Sequence, residues 1–142
     1  MNRTVLFLRI AAVLTLIHAV LHTIGGVFGK VDPGPASIAV EAMKSNTFLL
    51  MGNVRSFWDF YFGLGLGATI SMTAESILMW QMGTLAKTGA RRLRPMMATF
   101  GAAYTAMSIN AYTHFFLAPV IVELVIVACF GAAIVTAGRE SA

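Results

Sequence analysis

Charge is scarce in this chain: of 142 residues only 11% are Asp, Glu, Lys or Arg. A soluble domain typically carries about 25% charged residues and needs them to cover its apolar interior. Here 58% of residues are hydrophobic and the mean hydropathy is +0.78, so there is no polar coat to offer water. A cytosolic enzyme, a disordered tail and a nucleic-acid module are excluded. The net charge of +4 does not restore a nucleic-acid role, because the cations sit in short connecting segments. Cysteine is almost absent. Cys129 stands alone in an apolar run, which excludes an intrachain disulfide and dithiol redox chemistry. Proline is sparse too, and Pro33, Pro35, Pro95 and Pro119 all fall where apolar runs begin or end.

What the chain has is long apolar runs. A membrane-crossing helix needs roughly 20 mostly apolar residues, and four segments qualify: about 4–28, 56–81, 96–116 and 118–137. The first follows Arg3 and continues past the usual length of a signal-peptide core with no Ala-x-Ala site behind it, so it is read as a retained helix. The expectation is an all-α fold, a four-helix transmembrane bundle forming a single integral membrane domain over residues 1–142. Between the first two spans lies a long polar, turn-rich loop, 30–55, with a short surface helix over 36–44 and an apolar stretch at 48–51. Leu117-Ala118-Pro119 makes a tight turn with proline in a tolerated first-turn position.

Orientation follows from the distribution of cations. The connector 83–94 holds Lys87, Arg91, Arg92 and Arg94 and no acid, which makes it cytoplasmic. Both termini then lie in the cytoplasm and the loop 30–55 outside, as for a multi-pass protein of a bacterial inner membrane.

Ionisable residues inside such spans are costly and mark function by default. At ~1.5 Å rise per residue, His22 falls about 9 Å outward of its helix midpoint, His114 about 12 Å, Glu123 about 7 Å, Asn110 about 6 Å and His18 about 3 Å. Asp59 stands at the outer mouth of the second span beneath Arg55, while Glu75 and Arg9 lie in the inner half. At 100° per residue, Ala11, Thr15, His18, His22 and Gly25 share one stripe of the first helix, facing the bundle. Asp59, Gly63, Gly67, Ser71 and Glu75 form a small-residue ridge suited to close helix approach. Arg9 points away from the histidine stripe and is expected to snorkel to cytoplasmic headgroups.

The outer-half cluster supports three readings. In the first, His22, His114, Glu123 and Asp59 act as proton-transferring groups on an apolar or amphipathic ligand, such as a lipid, sterol-like compound or quinone. His18 and Asn110 would orient it, Arg55 would pair with Asp59 or an anionic headgroup, and Trp58 and Tyr112 would wall the pocket. In the second, His18, His22 and His114 ligate a metal or haem. No His-Glu-x-x-His motif is present, so zinc-protease chemistry is not supported. In the third, the polar groups only bind helices together, and the protein is an accessory subunit of a larger membrane complex or a homo-oligomer. Membrane lipids are partners in every case, and no cofactor is named by the sequence. Gly63-Leu64-Gly65-Leu66-Gly67 lies inside a span with no preceding strand, so it is not a nucleotide loop.

The run Gly52-Asn53-Val54-Arg55-Ser56-Phe57-Trp58-Asp59-Phe60-Tyr61-Phe62-Gly63, with His18, His22 and Gly25-Gly26, resembles small uncharacterised bacterial four-helix membrane proteins. In size and span count the whole chain is similar to DoxX-type bundles. Its His, Glu, Asn and Trp content also resembles membrane sterol-isomerase-type bundles, which surround an apolar substrate with these residue types. That likeness implies a lipid pocket and assigns no catalytic residue.

Overall fold

The computed structural model describes residues 2–139. Its elements in chain order are α1 (Arg3–Leu21), continued by a π-helical segment (His22–Val27), then α2 (Pro35–Ser45), strands β1 (Thr47–Leu50) and β2 (Asn53–Ser56), α3 (Phe57–Gly89), a 3₁₀ turn (Ala90–Leu93), α4 (Arg94–His114) and α5 (Leu117–Arg139). Three helical runs, Arg3–Val27, Phe57–His114 and Leu117–Arg139, are by length and composition able to cross a membrane. The described residues divide into two compact units, one of residues 2–18 with 72–139 and the other of residues 19–71.

In the first unit, α3 does not stop where the polar residues begin. It stays helical through Lys87 to Gly89, and the 3₁₀ turn leads directly into α4. The connector expected at 83–94 is therefore largely helix, because the peptide groups of Thr84, Leu85 and Ala86 are satisfied along the helix whether or not lipid surrounds them. The chain nonetheless reverses there. Glu75 and Tyr104 are hydrogen-bonded at 2.7 Å, whereas in one straight helix they would stand about 44 Å apart.

The other helices join this hairpin in antiparallel fashion. Ser76 donates to the Ala12 carbonyl at 2.8 Å, and Arg9 to Thr84 at 2.9 Å, so α1 descends as α3 rises. Thr4 and Thr136 share a 2.8 Å hydrogen bond between α1 and α5. Phe130 of α5 stacks on Phe100 of α4 with ring centroids 5.5 Å apart. The core so formed is rich in alanine and methionine: Leu8, Ala11 and Ala12, Met79 and Met82, Met97, Ile126 and Ala133 are all buried. Alanines let backbones approach closely, and flexible methionines fill the irregular spaces left between them.

In the second unit, the glycine pair Gly25-Gly26 gives helix 1 its weakest local propensity, and there the backbone widens. The Phe28 N–H bonds the Thr23 carbonyl five residues back, the mark of a π turn. The loop beyond is more ordered than a turn-rich stretch suggests. Its short helix runs over Pro35–Ser45, with Pro35 opening it. Residues 48–51, expected to dip into the interface, instead belong to a hairpin in which Thr47 pairs Ser56 and Leu50 pairs Asn53. The two turn residues, Met51 and Gly52, have φ of 49° and 82°. That double positive φ matches the right-handed twist of a two-residue hairpin turn and is the reason glycine stands at position 52.

Candidate functional site

The polar residues with the deepest burial lie in the first unit. Thr15 is the middle residue of the helical run 3–27, Tyr104 is the middle residue of α4, and Glu75 lies close to the middle of α3. Tyr104 is buried, and its hydroxyl donates to Glu75 Oε2 at 2.7 Å. Thr15 Oγ1 lies 3.2 Å from the same hydroxyl and 3.5 Å from Met79 Sδ. A phenol buried among apolar side chains has no water to bond, so its hydroxyl must find a protein partner. Here it finds two.

Glu123 lies on α5 two turns before Phe130, whose ring centroid is 6.4 Å from that of Tyr104. Its side chain is 4% exposed, and its Oε2 has no hydrogen-bond partner among the described residues. Leaving a buried carboxyl oxygen unsatisfied costs on the order of several kcal/mol, unless a proton or an outside donor answers it. An acid, a phenol and a threonine hydroxyl thus meet on three helices, and a second acid is buried on the fourth.

The residues singled out from sequence distribute differently. In the first unit, Glu123 is the buried member of the expected set. His18 is half-buried, while Asn110, Tyr112 and His114 are exposed on α4 and stand outside the Tyr104 network. In the second unit, His22 Nε2 lies 3.2 Å from the Gly65 carbonyl. Val27 packs against Gly65 so closely that a β-carbon there would lie 3.1 Å from its methyl, a tight fit that Val27 would have to yield to admit. Thr23 and Thr69 share a hydrogen bond of 3.0 Å one turn further along.

Asp59 closes a capping box. Its Oδ2 accepts from the Ser56 N–H at 2.7 Å and from the Ser56 hydroxyl at 3.0 Å, while Ser56 Oγ accepts from the Asp59 N–H at 3.3 Å. This is the reciprocal start of helix α3, a structural task that occupies Oδ2 of the carboxylate. Arg55 turns its guanidinium to the Val54 carbonyl at 2.8 Å, and the only salt bridge among the described residues is Glu41–Lys44. The expected Arg55–Asp59 ion pair is therefore not formed, though both residues line one cavity of about 270 Å³ with Leu50, Met51, Asn53 and Phe60. Trp58 is half-buried, stacked with Tyr61 and Phe62, with Lys44 Nζ 5.0 Å from its ring.

Among the described residues no three His, Cys, Asp or Glu side chains are grouped closely enough to hold a metal ion. Arg9 lies 3.4 Å over the Trp80 ring and reaches Thr84, toward the basic end of α3 and away from Glu75.

Sequence reasoning does not name Tyr104; it places Thr15 on the bundle-facing stripe and Glu75 in the inner half without joining either to a site. The available signal was depth: tyrosines gather at membrane interfaces, and one at mid-span is out of place unless something bonds it.

By length and composition of its helices, the chain is a helical membrane protein. Compared with family models, curated proteins and solved structures, it matches none.

Proposed function

We propose that this is a four-span protein of a bacterial cytoplasmic membrane that binds an apolar or amphipathic ligand at Glu123 within the bundle. In this reading the connector 83–94 and both termini face the cytoplasm, as the positive-inside bias favours, and the loop 30–55 lies outside. The observation that carries the proposal is the buried Glu123 carboxyl with its unpartnered oxygen. A ligand hydroxyl, amine or protonated carbonyl supplies the missing donor, and its hydrocarbon body lies among apolar side chains, as in a sterol-like compound, a quinol or a lipid. Tyr104 and Glu75, already bonded to each other, form a relay through which a proton could reach or leave the ligand once Glu123 holds it.

The test is mass spectrometry of apolar molecules extracted from protein purified in mild detergent. Wild type is expected to retain one compound bearing a hydrogen-bonding group, and Glu123→Leu to lose it while remaining folded. A wild-type protein carrying only bulk phospholipid would sink the proposal.

One observation favours a second reading, the accessory or oligomeric one. The face of α4 bearing Ala102, Ala103, Ala106 and Asn110 is exposed, and small residues beside an amide suit helix packing better than lipid. Light scattering in detergent decides it: a monodisperse monomer counts against this reading, and a dimer weakened by Asn110→Leu supports it.

A further inference from the structure

At the basic end of the first unit a cavity of about 460 Å³ opens between the start of α1, the end of α3, the 3₁₀ turn and the end of α5. Its lining holds Lys87, Arg91 and Arg92, with Ala86, Ala90 and Ala137 as apolar wall. The volume falls in the range of small-ligand pockets, roughly 300–1,000 Å³. Among the described residues no acid lines it, and none of the three cations forms a salt bridge. Three like charges drawn around one hollow repel each other, and an anion placed between them removes that cost.

We propose that this cavity binds a phosphate group, and that the group is the phosphodiester of an anionic membrane phospholipid. Arginine forks match phosphate oxygens in pairs, and Arg91 and Arg92 supply two forks with Lys87 as a point charge beside them. A lipid source fits better than free phosphate because the cavity sits at helix ends, the depth of headgroups, while α3 presents exposed Ile77, Leu78 and Leu85 alongside for acyl chains. Basic pockets at the cytoplasmic ends of spanning helices suit such headgroups. The site is separate from Glu123 and does not depend on any ligand there.

Removing connector cations could also disturb membrane orientation, so the decisive variant keeps every charge. Gly89 lines the cavity, and a β-carbon added there meets nothing within 4 Å. Gly89→Phe therefore adds a ring at the cavity wall where its β-carbon has room. The full chain is reconstituted in vesicles of equal phosphatidylglycerol and phosphatidylcholine, re-extracted in mild detergent, and its retained lipid measured by native mass spectrometry.

Wild type is expected to retain phosphatidylglycerol over phosphatidylcholine, and Gly89→Phe to retain neither preferentially. Arg91→Gln should lower retention about fivefold, in line with one surface cation lost. Arg94→Gln, a cation outside the lining, should leave it unchanged. Equal retention of the two lipids by wild type, or undiminished preference in Gly89→Phe, overturns the proposal. Inorganic phosphate added during extraction separates the sources. No displacement of lipid upholds the phospholipid, whereas phosphate adducts at the same cavity without lipid overturn that assignment in favour of free phosphate.

Discussion

The Tyr104 hydroxyl donates to Glu75 Oε2 at 2.7 Å across the α3–α4 hairpin, with Thr15 of α1 on its other side. One phenol thus joins three helices at their middles. Tyr104→Phe removes the donor, leaves a carboxylate half-answered, and should destabilise the bundle by about 1–3 kcal/mol. The check is a double-mutant cycle with Glu75→Gln, followed by unfolding in mixed detergent. Coupling near zero would mean that the bond carries no weight.

Glu123 should behave in the opposite way. Because its Oε2 has no partner to lose, Glu123→Leu exchanges an unsatisfied buried carboxyl for hydrocarbon and should raise stability by about 1–3 kcal/mol in ligand-free protein. Thermal unfolding after exhaustive detergent washing measures this. A loss of several kcal/mol would make Glu123 part of the bundle's glue and not a binding residue.

Asp59 is expected to matter for helix entry only. Ser56→Ala or Asp59→Ala breaks the capping box and should cost about 0.5–2 kcal/mol. Hydrogen exchange should accelerate at the Phe57–Phe60 amides in either variant, with ligand retention unchanged. If Asp59→Ala instead abolishes ligand retention at normal exchange rates, the carboxylate is functional and its capping role secondary.

Arg9 over Trp80 gives an optical reporter. Arg9→Ala in a Trp58→Phe background should shift and change the intensity of the single remaining tryptophan emission, with a stability loss of roughly 0.5–2 kcal/mol. Arg9→Lys should restore only part of it, since the planar guanidinium stacks on the ring and an ammonium does not. Identical emission in all three proteins would show that the stack is not populated.

The helices were legible in the sequence because apolar runs of sufficient length admit few other structures, and the buried acid Glu123 was legible because charge in such a run is expensive. Other elements were not. The end of α3 was hidden by Lys87, whose polarity marks an aqueous level but says nothing against helix. The hairpin was hidden by its Met51-Gly52 turn, which lacks the usual Asn-Gly or Asp-Gly signature. Carrying 100° per residue onward from His18 fails for the residues after His22, because the backbone leaves that period where the π segment begins. The outer-half cluster consequently did not include Tyr104, whose importance comes from depth and not from ionisable character.

The unequal lengths of α3 and α4 have a mechanical consequence. Thirty-three residues make α3 about 50 Å long, while the 21 of α4 make about 31 Å. Against a hydrocarbon core of roughly 30 Å, α4 matches the bilayer with nothing to spare and α3 overshoots by two-thirds. If the proposed four-span arrangement holds, α4 is the helix that sets the membrane thickness the protein tolerates. A thicker bilayer would strain that helix first, while α3, free to tilt, would absorb the same change with little cost.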